Sequence, residues 1–73
     1  MFAKEKFAQR LNLLLEQHNI TKQALGDAIG VSRPAISQFA NGANLPSIDK
    51  LVALAEYFKV SVDYLLGISD IPG

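Results

Sequence analysis

A chain of 73 residues makes one small domain, and with 49% of them apolar it can build a core. It has no cysteine, which excludes disulfides and cysteine-held zinc, and seven basic residues against seven acidic ones exclude a polycation that coats nucleic acid by bulk charge. The opening MFAKEKFAQR is too charged for a secretory signal, and Leu13-Leu14-Leu15 falls far short of the roughly 20 apolar residues that span a membrane.

Phe7, Leu11, Leu14 and Leu15 recur at helical spacing, which predicts a first helix from about Phe2 to His18, with Asn19 as its stop. Thr21 is a cap residue before a second helix, Lys22 to about Ile29. Ser32 caps a third, which carries Ile36 and Phe39 inward and ends at Asn41-Gly42. Pro46-Ser47 opens a fourth helix, whose apolar face of Ile48, Leu51, Val52, Leu54, Ala55 and Phe58 is the widest in the chain. Ser61 caps a last short helix with Val62, Leu65 and Leu66 inward, and Gly67 closes it. Asp49 and Asp63 suit the first turns of these two helices, where the helix dipole favours an anion. No segment alternates with the period of a strand. Residues 1–67 are expected to form the domain and 68–73 a tail or the start of a linker.

Two glycines, Gly26 and Gly30, stand four apart within this pattern, although a glycine inside a helix costs about 1 kcal/mol relative to alanine. Gly30 falls where the chain turns between the second and third helices, and glycine adopts positive φ there without a Cβ penalty. Gly26, beside Leu25, is expected to let the third helix cross closely. A tight turn joining two steeply crossed helices is the plan of a helix-turn-helix.

At 100° per residue the third helix turns Ala35, Ile36, Phe39 and Ala40 to one side and Arg33, Pro34, Ser37, Gln38 and Asn41 to the other. The outward set holds no carboxylate. Arg bridges guanine O6 and N7, Gln bridges adenine N6 and N7, and Ser pairs with either. Pro34 falls in the first turn, where its missing N–H does no harm.

The run Thr21-Lys22-Gln23-x-Leu25-Gly26-x-x-Ile29-Gly30-Val31-Ser32-x-x-x-Ile36-Ser37-x-Phe39-x-Asn41-Gly42 resembles the helix-turn-helix of phage repressor and Cro-type regulators, the XRE family. The stretch from Pro46 to Gly67 resembles that family's last two helices, so the likeness covers about residues 5 to 67 in one register. It implies an all-α, lambda-repressor-like fold, a compact five-helix bundle that binds double-stranded DNA as a homodimer on a palindromic operator, in the cytoplasm of a bacterium or encoded by a phage. Carried over by position, Arg33, Pro34, Ser37 and Gln38 face bases, while Lys22, Gln23, Ser32, Asn41 and Asn44 face phosphates. Many relatives of this kind carry an arginine at Leu15 and an acid at Ala40, so the charge pair between first and third helices is expected to be a packing contact here. Phe58, Val60, Tyr64 and Leu66 are candidates for exposed dimer contacts, while Tyr57 and Tyr64 are read as core or dimer-contact residues and not as stacking platforms.

No nucleophile–base pair, phosphate-cradling loop or cofactor motif is present in the sequence, and Asp27, Asp49, Asp63 and Asp70 are too scattered for a metal set. His18, at a helix end, is expected to be exposed there as a partner of the helix dipole. The reading is a non-enzymatic transcriptional regulator, a repressor in the first instance. Two alternatives stay open: an interaction module that keeps the fold without binding DNA, and the DNA-binding piece of a larger sensor or peptidase-type regulator.

Overall fold

The computed structural model describes residues 4–73. Their helices are α1 (Lys4–Gln17), α2 (Lys22–Ile29), α3 (Arg33–Ala40), α4 (Ile48–Phe58) and α5 (Val62–Leu66). The expected start of α1 at Phe2 lies outside the described residues. α1 packs on α3 and α5, α2 on α3 and α4, and α4 on α5. Each helix sends at least one fully buried side chain to the shared core: Phe7 and Leu11, Leu25, Ile36, Leu54 and Leu65. Burying a side chain of this size stabilises the fold by about 1.5–3 kcal/mol, so this small set holds all five helices together.

Four helix starts follow from one chemical device. The hydroxyls of Thr21, Ser32, Ser47 and Ser61 accept from the backbone N–H three residues on, at 3.0, 3.3, 3.3 and 3.0 Å. The helix ends are less uniform. Asn19 (φ 53°) leaves α1 in the left-handed conformation, as does Lys59 (φ 58°) after α4.

The turn between α2 and α3 uses both glycines together, in a way that corrects the expectation for Gly26. Gly30 has φ 75°, and both its N–H and that of Val31 (2.8 Å) reach the carbonyl of Gly26. This folds the Val31 backbone back over Gly26. A Cβ on Gly26 would stand 2.3 Å from the Val31 carbonyl oxygen but 3.6 Å from Ile36 Cγ1. What needs the missing side chain is therefore the turn's own backbone, and the crossing of α3 makes only ordinary contact. Lys50 of α4 adds its ammonium group to the carbonyl of Ile29 at 3.0 Å, a cation at the negative end of α2.

Leu15 and Ala40 are both buried in the core, as the packing contact expected between α1 and α3 requires. α1 and α3 are tied by a side-chain amide as well. Asn12 Nδ2 donates to the carbonyls of Ala8 (3.0 Å) and Ala40 (2.8 Å).

The packing also settles which apolar residues are covered. Phe58 (2% exposed) and Tyr64 (8%) are core residues and are not available as dimer contacts. Conversely, Ile48 (79% exposed) and Val52 (42%) face outward, so the apolar face of α4 is wider than the core it covers. Val60, Val62 and Leu66 are half-buried against the core. His18 is exposed and meets the Phe58 ring edge-on at 5.0 Å.

The last residues fold back on the body. Arg10 of α1 lies over the Tyr64 ring, 4.1 Å from its centroid, donates to the carbonyls of Tyr64 and Ser69, and pairs with Asp70 at 2.7 Å. The Ser61 N–H donates to the Pro72 carbonyl at 2.7 Å.

Candidate nucleic-acid interface

α2, its glycine turn and α3 bring the sequence-marked residues onto two helix N-termini, the outer face of α3 and one loop. At α2, Thr21 takes the N–H of Ala24, so the N–H groups of Lys22 and Gln23 have no helical acceptor and point along the positive end of the dipole. Lys22 is half-buried there and Gln23 is exposed. The Gln23 side chain, however, is turned along the helix, with Nε2 donating to Asp27 Oδ1 at 3.0 Å. Its backbone N–H, more than its amide, is free to meet an anion.

At α3 the balance of donors differs. Ser32 Oγ accepts from Ala35, and Pro34 removes one N–H from the first turn. The Ser32 hydroxyl proton stays available to an acceptor. Arg33, Pro34 and Gln38 are exposed and Ser37 is half-buried, while Ile36, Phe39 and Ala40 face the core. The helical period thus divides α3 as its sequence indicates. The single ion pair among the described residues joins Arg10 to Asp70, which leaves Arg33 and Lys22 as unpaired cations on this side.

The loop after α3 is folded onto the end of that helix. Asn41 Oδ1 accepts from the N–H of Ala43 at 2.9 Å, which leaves its Nδ2 free. The Ala43 N–H also reaches the Gln38 carbonyl (3.0 Å), and Asn44 Nδ2 donates to Gln38 Oε1 at 2.7 Å. Gln38 and Asn44, assigned separately to bases and phosphates, are therefore one hydrogen-bonded pair. Sequence reasoning missed this because they are six residues apart, across a helix end that no periodicity describes.

A second exposed region lies beyond that loop. Leu45, Pro46, Leu51 and Leu66 line an apolar groove of about 90 Å³, and Ile48 and Val52 stand one helical turn apart on α4. The wide apolar face of α4 was the available signal, but periodicity alone does not separate a core contact from an exposed one.

Known proteins share this arrangement. The helix-turn-helix family model HTH_3 matches residues 5–65. An uncharacterised HTH-type transcriptional regulator of Bacillus subtilis, YobD, is 38% identical over 66 residues, 90% of this chain and 59% of that protein. The transcriptional repressor RstR of the cryptic phage CTXphi in Vibrio cholerae is 31% identical over 62 residues, 85% of this chain and 55% of its own. The crystal structure of the P22 c2 repressor in complex with a synthetic operator is similar with a TM-score of 0.79 at 35% identity, covering 82% of this chain and 91% of that one. This chain spans between 30% and 59% of the length of the curated relatives it matches. No helix of the described residues is long and apolar enough to cross a membrane. With the family model matching most of its length, the chain belongs to the phage-repressor (XRE) type of helix-turn-helix family, whose members matched here are named as transcriptional regulators, repressors and, in BcrR of Enterococcus faecalis, an activator.

Proposed function

We propose that this chain binds double-stranded DNA in a sequence-specific manner, as a homodimer on a palindromic operator, with α3 in the major groove. The observation that carries the reading is the outward face of α3. It offers a guanidinium, a hydroxyl and a carboxamide with no carboxylate among them, beside the N-terminus of α2. Arg33 and Gln38 act as base readers, Ser37 as a permissive partner, and Pro34 as an apolar neighbour for a thymine methyl. Lys22, the Gln23 N–H, Ser32, Asn41 and Asn44 hold the backbone on either side. Repression is the sign of regulation favoured here, since a domain seated on DNA excludes polymerase with no further contact.

Two cations on the DNA side give one domain only a modest electrostatic grip, so a second copy is needed for tight binding. The surface best suited to it is the exposed apolar region of Leu45, Ile48 and Val52. A two-fold interface sets the same patch against itself and doubles the number of half-sites read. Selection of bound duplexes from a random pool tests the proposal. The expected product is a palindrome with half-site centres about 10 base pairs, or one helical turn, apart. An unrelated collection of bound sequences, or no enrichment, contradicts it.

A second reading is favoured by the greater length of the curated relatives: the chain as the DNA-binding part of a larger regulator. The mass of the protein expressed from its own locus tests it.

A further inference from the structure

A glutamine amide presents two faces of opposite chemistry, and which one meets a base depends on what holds the other. Both Gln38 and Asn44 are exposed, yet Asn44 Nδ2 donates to Gln38 Oε1 at 2.7 Å. Asn44 is itself fixed, because the N–H groups of Ala43 and Asn44 donate to the Gln38 main-chain carbonyl at 3.0 and 3.4 Å. The loop therefore closes on Gln38 through both backbone and side chain. With one amide oxygen lone pair occupied, the part of Gln38 left for a ligand is chiefly its NH2 group, which carries two donors.

From this, and resting on the DNA-binding reading above, we infer that Asn44 is a positioning residue that biases Gln38 toward reading with its NH2 donors. A donor pair matches a base that shows two adjacent acceptors in the major groove, and guanine, with O6 and N7, is that base. The adenine pairing available to a free glutamine needs the oxygen to accept from N6 while the NH2 donates to N7, and Asn44 competes for that oxygen. Gln38 in this chain thus prefers guanine over adenine at its position. Asn44 sets that preference from the end of the helix.

The inference is tested by selecting duplexes from a random pool with the full chain and three variants. Gln38→Ala removes the reader, Asn44→Ala removes its holder, and Asn44→Asp reverses the holder. An aspartate accepts where the asparagine donates, so it draws in the Gln38 NH2 and leaves Oε1 outward, toward the N6 amino group of adenine or the N4 of cytosine. The parent chain is expected to select guanine at one position of each half-site. That preference falls about tenfold in Gln38→Ala and in Asn44→Ala, and it moves to adenine or cytosine in Asn44→Asp. A uniform loss of affinity from the added charge does not change which base is chosen, so the readout separates positioning from general weakening. If Gln38→Ala relaxes one position while both Asn44 variants keep the parent's choice, or if the parent selects adenine there, the inference is overturned. If Gln38→Ala changes no position, the base-reading role of Gln38 itself falls, and the inference with it.

Discussion

The two outer surfaces of this small bundle are built from the same kind of helix and differ in what they leave exposed. α3 buries Ile36, Phe39 and Ala40 and turns Arg33, Pro34 and Gln38 to solvent, so its apolar residues are used up by the core. α4 buries Leu54, Ala55 and Phe58 but has apolar side chains to spare at Ile48 and Val52. A face that keeps polar, uncharged-or-cationic groups outside suits a polyanion with hydrogen-bonding edges. A face that keeps apolar groups outside suits another apolar surface. On the proposed function, the contrast assigns DNA recognition and self-association to separate surfaces of one 73-residue chain, and each can be broken without the other.

The largest effect is expected where the polar face is assembled. Gly26→Ala places a Cβ 2.3 Å from the Val31 carbonyl oxygen, a backbone atom that cannot move aside without opening the turn. The loss of stability is expected at about 3 kcal/mol, read as the shift of a urea unfolding midpoint. Gly30→Ala meets only the tip of Lys50 at 3.5 Å and is strained by its φ of 75°, so it costs less, about 1–2 kcal/mol.

Within the polar face, Arg33→Ala is expected to cost about 1–3 kcal/mol of operator affinity and to relax choice at one base pair. Equal losses on cognate and scrambled duplexes would show that Arg33 holds the backbone instead. On the apolar face, Ile48→Glu would set two carboxylates against each other across the proposed two-fold axis. It is expected to remove about 1–2 kcal/mol of cooperative binding, seen in the protein-concentration dependence of operator occupancy. Half-site base choice should stay as it was, and so should folding, since Ile48 is 79% exposed.

The smallest effect belongs to Lys22→Ala, about 0.5–1 kcal/mol on every duplex alike. One domain neutralising about two to four phosphates gives a log affinity–log salt slope near −2 to −4, and this variant should reduce it by about one.

Four helix starts were legible in the sequence because each is written in local chemistry. A hydroxyl residue stands before each of four helices, and the cap hydrogen bonds form as expected. The division of α3 into inner and outer faces was legible for the same reason, since helical period fixes it. What the sequence did not disclose depends on where elements meet. Phe58 was expected as an exposed dimer contact and Tyr64 as either a core or a dimer-contact residue; both lie in the core, where α1 packs on α5 and His18 meets the Phe58 ring. Ile48 and Val52 belong to the apolar face read on α4, but that face is wider than the part the core covers, and both stand exposed. The Gly26 contact, the Asn12 bridge to Ala40 and the Gln38–Asn44 pair are close approaches between parts that no spacing rule aligns. Lys59 in the left-handed conformation gives no composition signal, since glycine or asparagine ordinarily marks that position.

The contrast between the two surfaces can be read in one titration. Adding a mixed-sequence DNA duplex at low salt to the 15N-labelled chain should shift the amide signals of Lys22, Gln23 and residues 32–44 and leave those of residues 48–52 in place. Shifts confined to residues 45–52, or none at all while the apolar face remains competent to self-associate, would contradict the assignment of α3 to DNA.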